Sequence, residues 1–279
     1  MVIDVHVHTF PDDLAARALQ KLVDKADNKI AAVGDGTVGG LLKQMRAAAV
    51  DYAVVCPIAT RPAQFAGILA EADALRSGER GAEAAAHLIP FASVHPEDEE
   101  RFTHLRQVAE SGIRGIKLHP YYQPCVVDSP EMLEYFRCCR DLDLVVQCHC
   151  GFDIGFPFDP VCNPARIGRV TRSVPGLRLI AAHLGGWLRW DEALIHLVGQ
   201  DIYLDTSILA MNATEEAPQR VLREHPVDRL LFATDWPWLS FDEGLDFVRS
   251  GIGSPAHEQL ALGGNAACLL GIQKPAPWY

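Results

Sequence analysis

The sequence predicts a single-domain (β/α)8 TIM barrel over residues 1–279. Two observations predict it: eight short apolar runs rich in Val, Ile and Leu follow one another along the chain, and segments with helical apolar spacing separate them. A strand followed by a helix, repeated with buried strands, is typical of a parallel sheet with helical crossovers. Eight such units that close on themselves make a barrel, and a chain of this length suits one.

The predicted strands are short runs rich in apolar residues, as expected for the largely buried strands of a parallel sheet that helices cover. They lie at residues 2–8, 52–57, 88–95, 113–119, 143–149, 177–183, 202–206 and 230–235. Apolar residues at helical spacing lie between them. The clearest of these segments are Leu41 to Ala49, Phe65 to Leu75, Phe102 to Ala109, Met132 to Cys139 and Trp190 to Val198.

The alternative fold is an open doubly wound sheet, which usually has a glycine-rich phosphate-binding turn after its first strand. Here Thr9-Phe10-Pro11 follows the first strand, and the glycines between residues 34 and 40 lie well before the second strand, where they indicate a loop. The barrel is therefore favoured. We expect the long stretch from Thr9 to Gly40, and the Pro-rich residues 154–164, to fold over the barrel mouth.

The composition disfavours nucleic acid and membranes as partners, so we expect a small-molecule substrate. The formal net charge is −11 and no lysine or arginine cluster opposes it, which disfavours nucleic acid. No apolar run is long enough to cross a bilayer, so we expect no membrane span. The eight cysteines are scattered without a CxxC pair, and no secretory leader precedes the first strand, so a cytoplasmic location is expected. The sequence leaves open whether the protein forms a homo-oligomer.

The first strand carries two histidines in an HxH pattern. Alternate side chains of a strand share a face, so His6 and His8 are predicted to point one way and Val5 and Val7 the other. A structural histidine usually has one hydrogen-bond partner in the core, so two adjacent imidazoles inside a barrel are unusual for packing alone. The pair therefore favours metal binding. Asp4 would share their face at a deeper level, in a supporting or a packing role.

Three further polar residues end apolar runs. His149 ends the fifth run, His183 the sixth and Asp235 the eighth, and barrel active sites are assembled at the carboxyl ends of the strands. The predicted ligands are His6, His8, His149 and Asp235. Three imidazoles and one carboxylate suit zinc, or manganese or another first-row divalent ion, and leave coordination positions for water or substrate.

Other residues near strand ends have two interpretations each. Arg61 could bind a substrate carboxylate or form a surface ion pair. Histidines that end the third and fourth strands could line the pocket or cap a turn; these are His95 and His119. Aromatic residues after strand ends could form a pocket wall or pack against helices; these are Tyr121, Tyr122, Trp187 and Trp236. Cysteines flanking His149 are predicted to be buried apolar residues; these are Cys148 and Cys150.

An ordered set of motifs resembles the amidohydrolase superfamily, in particular the amidohydrolase-2 branch that includes aminocarboxymuconate semialdehyde decarboxylase. The set spans nearly the whole chain and comprises Asp4-Val5-His6-Val7-His8, Gly115-Ile116-Lys117-Leu118-His119-Pro120, His149, Ala182-His183-Leu184-Gly185-Gly186, Ala233-Thr234-Asp235-Trp236-Pro237 and Gly264-Asn265-Ala266-Ala267.

The resemblance implies a role for each matching residue. His6, His8 and His149 would bind the metal directly, and Asp235 would bind the metal or lie beside it and handle the proton of an attacking water. His183 would polarise or orient the substrate. In members with two metals a carboxylated lysine of the fourth strand bridges the ions, a position that Lys117 matches. We expect a mononuclear site with Lys117 unmodified, and His119 as a further residue for substrate or a second metal.

Four functions are weighed. The first is hydrolysis of a small amide, ester or lactone, and its alternative is non-oxidative decarboxylation of an aromatic or conjugated carboxylic acid, which the same branch supports. A phosphoesterase of the polymerase-and-histidinol-phosphatase type also has an HxH strand, but usually continues with a serine-aspartate turn where this chain has Phe10-Pro11. A catalytically silent metabolite-binding barrel is disfavoured because open coordination positions suit catalysis better than structure.

Overall fold

Eight parallel strands alternate with helices in the computed structural model, which describes residues 1–157, 161–208, 212–273 and 278. Each strand lies within one of the eight predicted apolar runs, so the predicted strands are confirmed. The strands are β1 Ile3–Val7, β2 Tyr52–Val55, β3 Leu88–Pro90, β4 Gly115–Leu118, β5 Val145–Cys148, β6 Leu179–Ala181, β7 Tyr203–Asp205 and β8 Leu230–Leu231.

The described helices follow the strands, with additional short helices near the carboxyl end. They are α1 Asp12–Lys25, α2 Val38–Ala47, α3 Phe65–Ser77, α4 Ala82–His87, α5 Arg101–Glu110, α6 Pro130–Asp141, α7 Pro164–Ser173, α8 Trp190–His196, α9 Glu216–Glu224, α10 Phe241–Gly251, α11 Pro255–Gln259 and α12 Asn265–Leu270. The five predicted helical segments correspond to α2, α3, α5, α6 and α8. Among the described residues, no helix is both long and apolar enough to span a bilayer.

Local sequence signals set where several helices begin. The side chain of Thr37 accepts a hydrogen bond from the Gly40 N–H at 2.9 Å and so caps the first turn of α2. Asn163 caps α7 in the same way, and Pro164 follows it in the first helical position, where a missing N–H costs nothing. At α10, Ser240 and Glu243 form a reciprocal capping box.

Backbone hydrogen bonds connect the eight strands into one ring. β1–β2–β3 form one sheet and β4 to β8 form another, all parallel. Between β3 and β4, the N–H of Ala92 donates to the Gly115 carbonyl and the N–H of Lys117 donates to the Ala92 carbonyl, at 3.0 and 2.8 Å. Between β8 and β1, the N–H of Val5 donates to the Phe232 carbonyl at 3.0 Å. The predicted barrel fold is confirmed.

Strand β1 is irregular where it carries the histidines. Its register with β2 shifts between Asp4 and Val7, which is a β-bulge. Val5 consequently belongs to the cluster inside the barrel, whereas Val7 belongs to the cluster between strands and helices. The prediction that Val5 and Val7 share a face was therefore wrong. The carboxylate of Asp4 accepts a hydrogen bond from the N–H of His6 at 2.8 Å within the bulge.

The hydrophobic core has two parts. The larger part lies between the strands and the surrounding helices. The smaller lies inside the ring at the amino ends of the strands, where Ile3 and Val145 meet Leu269 and Leu270 of α12. Helix α12 thus closes the barrel at the end opposite the strand termini that carry the predicted site.

Both segments predicted to cover the mouth contribute to it. Helix α1, inside the stretch from Thr9 to Gly40, lines the large cavity at the carboxyl ends of the strands with Leu14 and Leu22. In the Pro-rich segment, Ile154 and Gly155 line the same cavity, whereas residues 158–160 lie outside the described residues.

We predict that Gly115→Ala destabilises the protein. A Cβ at this position of β4 would lie 2.5 Å from the Phe91 ring and 2.7 Å from the Val145 carbonyl oxygen, both fixed in the core. The free energy of unfolding should fall by about 1–3 kcal/mol. Urea unfolding of chelator-treated protein measures it, with Gly67→Ala as control, because a Cβ at Gly67 in α3 has no atom within 4 Å. Equal stability of the two variants would contradict the prediction.

Candidate metal centre and active site

The predicted site residues meet at the carboxyl ends of the strands. His6 lies in β1 and Lys117 in β4, and the other members directly follow strands. Those others are His8 after β1, His119 after β4, His149 after β5, His183 near the end of β6 and Asp235 after β8. All seven line one cavity of about 720 Å³.

The HxH pair and Asp235 form one group of converging acceptor atoms. The Oδ1 atom of Asp235 lies 3.3 Å from Nε2 of His6 and 3.0 Å from Nε2 of His8. The three ligand atoms lie within 4.8 Å of one another. The Nζ atom of Lys117 lies 2.5 Å from the same Nε2 of His6.

Partners on the far side of each ring fix the direction of the lone pairs. Nδ1 of His8 donates to the Cys56 carbonyl at 2.7 Å, because a carbonyl oxygen can only accept. Nδ1 of His6 lies 3.0 Å from Oδ2 of Asp205, a fully buried carboxylate. In both rings Nε2 therefore presents its lone pair to the site, which is the arrangement that metal-binding histidines require.

His149 and His183 form a second pair of facing nitrogens. Nδ1 of His183 donates to the Ser207 carbonyl at 2.6 Å, and Nε2 of His149 donates to the Phe152 carbonyl at 3.2 Å. The two remaining nitrogens, Nε2 of His183 and Nδ1 of His149, face each other at 3.0 Å. Two lone pairs at this distance repel unless a cation or a proton lies between or beside them, so this donor set fits a divalent metal.

Burial sets the charge state of these groups. It lowers the pKa of His6 to about 4, with the Lys117 ammonium acting in the same direction. It also lowers the pKa of His149, again assisted by neighbouring cationic groups. For Asp235, burial alone would raise the pKa, but the electrostatic interactions with His6 and His8 outweigh it and hold the pKa well below its usual range. Burial therefore favours the neutral forms of His6 and His149, and Asp235 stays ionised; these are the protonation states that metal ligands need.

The four predicted ligands divide between two adjacent groups. His6, His8 and Asp235 form the first, while His149 is grouped with His119 and Asp153. The His119 and His149 rings stack with centroids 4.2 Å apart, and Nε2 of His119 lies 3.2 Å from the Asp153 carboxylate. His183 connects the groups, since its ring centroid lies 5.5 Å from that of His6. The assignment of His149 as a ligand together with the other three stays a prediction.

The structure does not bring Arg61 to the site. Its side chain is exposed and is not among the described residues that line the cavity, although the neighbouring Thr60 and Gln64 are, so its role in substrate binding stays a prediction. His95 is also outside that lining and accepts a hydrogen bond from the Glu97 N–H at 3.1 Å, as a capping residue does. Of the aromatic residues, Tyr122 and Trp187 line the cavity, whereas Trp236 is buried and donates from Nε1 to Gln44 at 2.9 Å.

Sequence reasoning missed three residues that hold the site together. Asp205 orients His6, Ser207 orients His183, and Asp153 pairs with His119. Asp205 had a signal, because it is a polar residue that directly follows the apolar residues of the seventh run, as His149 closely follows those of the fifth. Asp153 lies in a loop, where no periodic pattern marks it. Cys148 and Cys150 are fully buried, as predicted.

The fold and the site together define the class of protein. It is a parallel (β/α)8 barrel with a candidate metal centre at the carboxyl ends of its strands. The chain belongs to the amidohydrolase family, since the model of the family described as Amidohydrolase matches residues 3–272. This makes it an enzyme of the amidohydrolase superfamily and confirms the resemblance seen in the motifs. Among curated proteins, none matches the chain.

Solved structures share the fold at low sequence identity. An uncharacterized TIM-barrel protein from Bordetella bronchiseptica is 19% identical with a TM-score of 0.72, over 97% of this chain and 98% of that one. The 5-carboxyvanillate decarboxylase of Sphingomonas paucimobilis is 13% identical with a TM-score of 0.70, over 98% and 99%. A dihydroxybenzoic acid decarboxylase from a Polaromonas species, with bound manganese and 2-nitroresorcinol, is 16% identical with a TM-score of 0.69, over 97% and 96%.

We predict that Asp205→Asn weakens metal binding while the fold is kept. An amide cannot carry the negative charge that orients His6 and raises its basicity, so metal affinity should fall roughly 10–100-fold. Chelator competition measures the affinity, and circular dichroism checks the fold. The matched control is Asp201→Asn, because Asp201 is exposed and pairs with Arg229 at the surface. Unchanged metal affinity in a folded Asp205→Asn protein would contradict the role given to Asp205.

Proposed function

We propose that this chain is a metal-dependent, non-oxidative decarboxylase of an aromatic or conjugated carboxylic acid. The observation that carries the proposal is the position of Lys117. Its side chain is 1% exposed, and its Nζ atom lies among the imidazoles at the inner end of a cavity whose remaining walls are mostly apolar. A buried ammonium beside a metal centre suits binding of a carboxylate, whose uncharged remainder would lie against the apolar walls. Two structures that share the fold are decarboxylases, which supports the proposal.

His6, His8, His149 and Asp235 would hold the metal, for which we propose zinc with manganese as the alternative. When bound, the ion would supply Lewis acidity that fixes the carboxylate and polarises the substrate. Lys117 would neutralise the carboxylate charge and orient the group.

The chemical step needs a proton carrier. The bond between the substrate carbon and the carboxyl group breaks, CO2 leaves, and the electron pair stays on the carbon, which then takes up a proton. Asp235 cannot supply it, because its low pKa keeps it ionised. We assign this proton to His183: its Nδ1 donates to the Ser207 carbonyl, so the transferred proton would be carried at Nε2, the nitrogen that faces Nδ1 of His149.

Hydrolysis of a small amide, ester or lactone is the second candidate. One observation favours it: the ionised Asp235 carboxylate lies at the HxH pair, 3.0 Å from Nε2 of His8, where it could accept a proton from an attacking water. The two reactions differ in what they consume, because hydrolysis incorporates a water oxygen into the product and decarboxylation releases CO2.

We predict CO2 release from aromatic carboxylic acids when metal-loaded protein is assayed in 18O-labelled water, without label incorporated at the cleaved position. His183→Asn should lower the turnover number by roughly 10²–10⁴-fold, because an amide cannot carry the proton. The control is His257→Asn on α11, an exposed residue outside the described cavity lining. Label in the product of an ester or lactone, with no CO2 from any acid, would favour the hydrolase.

We further predict one equivalent of metal per chain, with Lys117 unmodified. In Lys117→Met the metal should be retained, since the lysine is not a ligand, while binding of a carboxylate substrate should weaken. Elemental analysis and substrate titration measure the two quantities separately. Two equivalents of metal, together with rescue of Lys117→Ala activity by a small carboxylic acid, would contradict the mononuclear site.

A further inference from the structure

The cavity extends well beyond the metal centre. Its volume of about 720 Å³ is that of a site for a whole small molecule rather than for a carboxyl group alone. The histidines and Lys117 occupy the end formed by the strands. The rest of the wall comes from helices α1 and α3 and from loops.

Helix α1 presents an apolar stripe to the cavity. Leu14, Ala18 and Leu22 follow one another at intervals of four residues, so they share one face of the helix, and all three line the cavity. Ala15 and Leu19, offset from this stripe, are buried in the protein. Leu14 is 39% exposed, although it is a large apolar residue. A leucine left partly exposed at a cavity wall is explained if an apolar ligand group covers it.

Helix α3 and the loops provide the other apolar walls. Ile68, Ala72 and Leu75 of α3 line the cavity at helical spacing. The loops after strands contribute further apolar residues, namely Ile58, Ile154, Ile208 and Trp238.

The charges on the wall are acidic. Among the described lining residues outside the metal centre, the charged ones are Glu71 and Asp153, and none is an arginine. Glu71 pairs with Arg80 at 3.0 Å, on the exposed side of α3. Lys25 is held over the Phe156 ring, 3.3 Å from its centroid, and is not one of the lining residues. Because Arg80 is already paired with Glu71 and Lys25 is held over the Phe156 and Tyr122 rings, a second carboxylate on the substrate would lose water without an unpaired cation among the described lining residues outside the metal centre to replace it.

We propose that the substrate carries a single anionic group, bound at the metal centre beside Lys117, and an uncharged apolar substituent that lies between α1 and α3. The identity of the reacting group rests on the proposed function, whereas the preference for an apolar substituent rests on the cavity wall. A dicarboxylic acid would be excluded.

The test is binding of unreactive probes to metal-loaded protein by calorimetry. The probes are benzoate, its 4-methyl to 4-butyl derivatives, and the dianion terephthalate. Each added methylene should lower the dissociation constant roughly three- to fourfold until the wall is filled. Terephthalate should bind at least tenfold more weakly than 4-methylbenzoate, which it resembles in size. The proposal would be overturned if the dissociation constant did not change along the alkyl series, or if terephthalate bound as tightly as the alkyl derivatives.

A charge exchange on the wall sharpens the test. Gly67 of α3 lines the cavity and has open space around its Cβ position, so Gly67→Arg combined with Glu71→Gln replaces an anion by a cation there. This variant should bind terephthalate at least tenfold more tightly than the unmodified protein does. Gly39→Arg on α2 is the control, since Gly39 is exposed, has no atom closer than 4.0 Å to a Cβ and lies outside the described lining. An equal gain in the control would overturn the proposal.

The outcomes separate this proposal from the proposed function. A graded alkyl series without CO2 release from any acid would leave the apolar preference standing and remove the decarboxylase. Conversely, the protein could decarboxylate dicarboxylic acids while its dissociation constants stay equal along the alkyl series. This outcome would support the decarboxylase and contradict the apolar preference.

Discussion

The arrangement of the site depends on one buried carboxylate, that of Asp205 at the end of β7. Its Oδ2 atom contacts Nδ1 of His6 and accepts from the Gln147 amide, while Oδ1 accepts from the N–H groups of His183 and Ser207. A buried charge is tolerable only when such partners surround it. Because these partners come from β1, β5, β6 and the end of β7, one side chain fixes the relative positions of strands that supply the candidate ligands.

Asp4 plays a comparable part on the other side of β1. The bulge leaves the N–H of His6 turned toward the Asp4 carboxylate, which also accepts from the Thr234 hydroxyl at 2.6 Å. Burial raises the pKa of Asp4 to about 8. These hydrogen bonds connect β1 to the loop that carries Asp235. One local network therefore holds the HxH pair and the Asp235 carboxylate.

The sequence was sufficient for the barrel because the strands lie in short runs rich in Val, Ile and Leu, which segments with helical apolar spacing separate. It also pointed to His6, His8 and Asp235, since polar residues near the ends of such runs stand out; the structure brings their ligand atoms within 4.8 Å of one another, and their binding of a metal stays a prediction. The bulge in β1 was not visible, because it depends on the register with β2 rather than on local composition. The two interpretations of Arg61 could not be separated for a related reason: a position just after a strand does not fix which way a loop side chain points.

Closure of the barrel by α12 restricts how molecules reach the metal centre. With Leu269 and Leu270 packed against Ile3 and Val145, the interior has no second opening along the barrel axis within the described part of the chain. Reactant and product must then share one passage, the one bordered by α1. A product that stays in this passage blocks the next substrate molecule. Product release before substrate entry, as well as the chemical step, would therefore govern the turnover rate.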